Sequence, residues 1–232
     1  MNLTTKQQIV FQIVVVLGTM LLIKDIADRF NVIGAGSIAM WGGIFIATLF
    51  MKKENITWRD RGLSLPVGRS QWLKAFGLML FLVFASIAFM GLIVPLISEL
   101  LGLGIPESST DRFELFLGNP LAFITYLILV IWIGAAVGEE LLMRGFLLNS
   151  LINLFGEGKK GIVMAVGLHA VIFGMLHISQ GIPGIIGTAM VAVMLASVYL
   201  YNSRNLFPLI LAHGLINSIG LLAYYLSDGA VT

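Results

Sequence analysis

Cysteine is absent from the 232 residues, which excludes disulfides and thiolate chemistry. Charge is scarce. Only 11% of residues are charged, against about 25% in a typical soluble domain. Net charge is +2, and no basic tract interleaved with aromatics occurs, so nothing points to nucleic acid as a partner. No internal repeat or low-complexity segment is visible. What remains is apolar: 58% hydrophobic residues and a mean hydropathy of +0.98. This is an integral membrane protein, read as one domain over residues 1–232. Lipid offers no water to exposed backbone groups, so only helices and closed barrels span it. The apolar runs are too long for barrel strands. The expected fold is an all-α polytopic bundle.

Runs near 20 residues mark spanning helices. Seven are visible, at about 8–23, 32–51, 73–97, 120–140, 161–177, 184–201 and 206–226. The run 141–155 adds an eighth or continues the fourth, so seven or eight transmembrane helices are expected. The first run follows Lys6 without an A-x-A-like cleavage site and reads as a membrane helix rather than a signal peptide. Residues 52–74 hold six of the 14 Lys and Arg. Placing them in the cytoplasm puts ten basic residues inside and three outside, which orients the N-terminus inward. The acidic stretch 99–114 then faces outward, and Ser108, Ser109 and Thr110 within it read as helix capping.

Glu139, Glu140 and Arg144 interrupt the apolar run 121–155. Insertion scales charge roughly 2.5–3.5 kcal/mol for an Asp, Lys or Arg at a helix centre. If Glu behaves like Asp, the three cost very roughly 8–10 kcal/mol before any pairing. Such a cluster implies pairing, neutralisation or a wet cavity. Glu140 and Arg144, at i and i+4, share a helical face and can pair. A structural salt bridge therefore explains two groups and leaves Glu139 over. Glu139 points about 100° away on an α-helix. Repulsion between the carboxylates and low dielectric both favour the protonated form, which suits a general acid or base.

All three histidines lie in apolar segments. His169, Phe173 and His177 form an i, i+4, i+8 stripe, and His213 and Asn217 an i, i+4 pair. His169 alone reads as structural or as a supporting group. No H-E-x-x-H, G-x-S-x-G or G-x-G-x-x-G occurs, so zincin, serine-hydrolase-elbow and dinucleotide chemistries are not indicated. Gly134 and Gly138 form a G-x-x-x-G that permits close approach of another helix beside Glu139. Depth poses a difficulty. Glu139 and His177 stand about 24 Å from the turn at 156–160, whereas His213 stands only about 13 Å from Arg204. A projecting helix, a strong tilt or a break near Gly181, Pro183 and Gly184 is expected.

Three motifs stand in order: E-E-x-x-x-R (Glu139, Glu140, Arg144), F-x-x-x-H (Phe173, His177) and H-x-x-x-N (His213, Asn217). The set resembles the CPBP (CAAX protease and bacteriocin-processing, or Abi) family, which includes the type II CAAX prenyl endopeptidases. Met143 stands where an aromatic is common. The segment 58–66 resembles the family less specifically, and the catalytic helices would be 120–226. The resemblance implies that Glu139 and His177 activate a water, and that His213 and Asn217 stabilise the oxyanion. Glu140, Arg144 and Phe173 would support them. It implies a glutamate mechanism without metal or other cofactor. Zinc, which two histidines and a carboxylate can hold, is the lesser alternative.

The expected function is an intramembrane endopeptidase in the cell membrane. Its partners would be the bilayer and a peptide or membrane-protein substrate, prenylated or leader-type. Two alternatives compete: a non-catalytic regulator or bacteriocin-immunity protein, and a small transporter. The missing repeat weakens the transporter. Oligomeric state is not encoded in any visible motif.

Overall fold

The computed structural model describes residues 5–103 and 111–227; the expected capping by Ser108, Ser109 and Thr110 falls outside them. Seven helical rods follow one another: α1 (Thr5–Arg29), α2 (Ala35–Lys53), α3 (Gly68–Leu101), α4 (Pro120–Phe155), α5 (Lys159–Met175), α6 (Gly181–Tyr201) and α7 (Phe207–Leu226). Each coincides with one apolar run. Among the described residues there is no strand.

Six of the seven are long and apolar enough to cross a membrane, fewer than the seven or eight expected. The seventh, α5, has 17 residues, about 26 Å of helix against a hydrocarbon core of about 30 Å. The run 141–155 is no separate rod. It continues α4, which begins where the Asn119 side chain caps Ala122 N–H and Pro120 opens the first turn. It ends at Gly156, whose φ of 96° few other residues adopt. The exterior of the bundle carries exposed Phe45, Phe81, Phe84 and Leu92, as a lipid-facing surface should.

At 36 residues α4 is far longer than a bilayer requires. Its middle, Leu127–Leu148, is a π-helix, bonded i to i+5 and so shorter per residue than an α-helix. Such winding is rare beyond a single turn and gathers at functional sites. Its inner half is the hub of the fold. Every residue of 140–152 is buried. A helix buried on all sides faces protein, not lipid. α2 and α7 flank it, α1 and α5 pack on its last turns, and α3 and α6 close the bundle against α7 and α5.

The G-x-x-x-G lies against α2. A Cβ on Gly134 would collide with the Ser37 side chain, and one on Gly138 would meet Met40 at 3.2 Å. Gly134→Val is therefore expected to destabilise the bundle by about 1–3 kcal/mol. Ser37→Gly should return part of that loss in a thermal unfolding assay. No recovery would mean that α2 does not approach α4 at this point.

The three loops assigned to the cytoplasmic side meet at one end of the bundle. Leu206 N–H donates to Gly62 O at 2.9 Å, Asn205 to Ser64, and Arg204 pairs with Glu157 at 2.9 Å. Tyr199 OH donates to Arg61 O and accepts from Asn149, which is itself buried on α4. Two bonds from Thr57, the hydroxyl and then the backbone N–H, hold the Asp60 carboxyl below its ordinary value and tighten this loop. The chain also breaks before Gly181, as the depth difficulty requires. α5 stops at Met175, and a short 3-10 turn, Ile178–Gln180, leads into α6.

Candidate active site

Burial makes Arg144 and Glu140 a pair. Both side chains are 0% exposed, and Arg144 Nη1 donates to Glu140 Oε1 at 2.8 Å. The expected i, i+4 contact is present, but Glu140 also has a second partner 73 residues away. His213 Nδ1 lies 2.8 Å from the same Oε1. A carboxylate accepts, so Nδ1 carries the proton. The other ring nitrogen, Nε2, faces Glu139 Oε2 at 3.9 Å. That distance exceeds a hydrogen bond and suits an intervening water. One imidazole thus stands between two neighbouring carboxylates.

Phe173 joins the second motif to the first. Its ring lies beneath the Arg144 guanidinium, 4.7 Å from centroid to Cζ, a cation–π contact. Its carbonyl accepts from His177 Nδ1 at 2.9 Å, and the two rings are 4.8 Å apart. A carbonyl only accepts, so Nδ1 bears the hydrogen. The neutral ring then presents a free lone pair at Nε2. His177 itself sits half-buried just past the end of α5.

Glu139, Glu140, Arg144 and His213 form one continuous cluster, with Phe173 and His177 attached through Arg144. No hydrogen bond or ion pair joins Glu139 directly to His177. Asn217, one turn beyond His213, is half-buried and bonds no other protein group. Several buried polar atoms have no protein partner: Glu139 Oε2, Glu140 Oε2, Arg144 Nε and Nη2, and both nitrogens of His169. Glu139, His177 Nε2 and the Asn217 side chain are left with capacity to bind something from outside. No three His, Asp or Glu side chains among the described residues gather around a common point suited to a cation.

Sequence reading missed two features. The bond from His213 to Glu140 depends on how α4 packs on α7, which no local pattern encodes. Trp132 packs tightly on α7 beside His213: a Cβ on Gly214 would lie 2.6–2.8 Å from three indole carbons. The small residue beside the histidine was the available hint.

A multi-pass helical membrane protein with carboxylates and imidazoles meeting inside its bundle has the makings of an intramembrane hydrolase. Residues 121–219 match the family described as type II CAAX prenyl endopeptidase Rce1-like. That segment is similar to the family the three motifs resemble, and it contains every motif residue. No curated protein and no solved structure gives a significant match.

Proposed function

We propose that the protein is an intramembrane endopeptidase in which Glu139 and His177 activate a water without metal. Glu139 Oε2 and His177 Nε2 are both free to accept a proton. The water oxygen attacks the substrate carbonyl carbon while Glu139 takes a proton. The tetrahedral oxyanion receives hydrogen bonds from His213 Nε2 and the Asn217 amide. The C–N bond then breaks, and Glu139 returns its proton to the leaving amine. Oxyanion donation requires His213 to carry hydrogen on both nitrogens. Its charge is then matched by Glu140, and Arg144 balances Glu139. The four groups sum to zero, which suits a dry interior.

The observation that carries this reading is His213, bonded to Glu140 at 2.8 Å while facing Glu139 at 3.9 Å. A carboxylate-oriented imidazole turned toward a second carboxylate has little purpose in a purely structural pair. The substrate class is a prenylated or leader-type peptide or a membrane protein, handled from a cytoplasmic N-terminal topology. Comparative peptidomics of membranes holding equal amounts of wild type and Glu139→Ala tests the reading. Peptides dependent on Glu139 are expected. Identical peptidomes, with the cellular phenotype retained, would favour a non-catalytic regulator.

A further inference from the structure

His169 is a buried titratable group that the proposed mechanism does not use. It is 0% exposed in α5. A neutral imidazole offers one donor and one acceptor. Neither finds a protein partner here. Leaving them unmet is costly, because each gives up its hydration with nothing in return. Arg144 has the complementary deficit. One of its guanidinium nitrogens bonds Glu140, while Nε and Nη2 bond nothing, although the side chain is 0% exposed. The two residues flank the same ring. His169 stacks on Phe173 at 6.4 Å, and the guanidinium lies over Phe173 at 4.7 Å. Unpaired donors on one side and an unpaired acceptor on the other, in a polar spot sealed from lipid, are the conditions under which proteins hold an internal water.

We propose that His169 is a positioning residue: it and Arg144 share a buried water that fixes the guanidinium on Glu140. The imidazole acceptor takes a hydrogen bond from the water, and the water oxygen accepts from Arg144. Arg144 Nη1 then remains on Glu140 Oε1, and Glu140 keeps His213 in register. Without the water, the guanidinium would be free to turn its unpaired donors toward Glu140 Oε2 or Glu139 and pull the carboxylates off the imidazole. The functional part of this inference rests on the endopeptidase reading; the hydration part does not.

Two measurements test it separately. In protein labelled with 15N-histidine, the lone-pair nitrogen of His169 should show the upfield shift of a hydrogen-bonded acceptor rather than the shift of a free imidazole nitrogen. Absence of that shift overturns the proposal whatever the protein's activity. On a substrate cleaved by the wild type, His169→Leu should lower kcat about 10–100-fold with KM unchanged, as losses of supporting hydrogen bonds around a site do. His169→Gln keeps a donor and an acceptor and should stay within about threefold of wild type. A Leu variant with wild-type kcat, or a Gln variant as impaired as Leu, overturns the positioning role. If the Leu variant does not fold, the Gln variant and the nitrogen shift decide. Wild type that cleaves nothing would defeat the endopeptidase reading and leave the nitrogen shift standing as its own result.

Discussion

Glu139→Gln is expected to reduce kcat by about 10²–10⁴, the usual contribution of a positioned general base, with KM little changed. The substitution keeps the shape and removes only the capacity to accept and return a proton. Glu139 is half-buried and makes no bond that holds the fold; its nearest charged neighbour, His213 Nε2, is 3.9 Å away. Because the cluster then carries one excess positive charge, a stability loss of about 1–3 kcal/mol is expected alongside, and turnover is compared on folded protein. Single-turnover kinetics in nanodiscs, on a peptide released in the peptidomic comparison, would measure the loss. Wild-type turnover should also survive stringent chelation, with no rescue by added zinc. A Gln variant that cleaves at the wild-type rate would remove Glu139 from the chemistry.

Arg144→Met should behave in the opposite way, damaging the fold first. Its removal leaves two carboxylates, one of them the 0% exposed Glu140, with only His213 to balance them, and so one uncompensated negative charge in the centre of the bundle. Breaking a buried pair from one side costs about 3–5 kcal/mol, whereas replacing both members by apolar or neutral groups is often neutral. The double variant Glu140→Gln/Arg144→Met is accordingly expected to regain most of the lost thermal stability. It should remain inactive, because His213 has then lost the carboxylate that aims it. Unfolding midpoints for wild type, both single variants and the double variant complete the cycle. A single Arg144→Met variant within 1 kcal/mol of wild type would show that the pair is not held as dry as its burial indicates.

The parts of this molecule that local pattern controls were readable in advance. Each apolar run became a helix because burial in lipid leaves the backbone no other choice. Glu140 and Arg144 met because four residues of helix place them together. The family motifs pointed to segments without giving their geometry. What pattern could not supply was the pairing of His213 with Glu140, since 73 residues separate them and only the packing of α7 on α4 closes the gap. The polar lattice of Asn149, Tyr199, Arg61 and Arg204 escaped for the same reason. The depth reckoned for Glu139 assumed α-helical rise throughout. No residue in 127–148 announces i to i+5 bonding, so the foreshortening of α4 was invisible.

That winding changes who is adjacent to whom. On an ordinary α-helix consecutive side chains diverge by about 100°, and a single imidazole would be served by one of two successive glutamates. A wider helix rotates less per residue, so Glu139 and Glu140 splay less and flank the same ring. Grafting Glu139 through Arg144 onto a straight α-helical host would thus deliver one carboxylate and swing the other away. The hexapeptide is portable as text but not as a catalytic element, unless the unusual coil beneath it travels too.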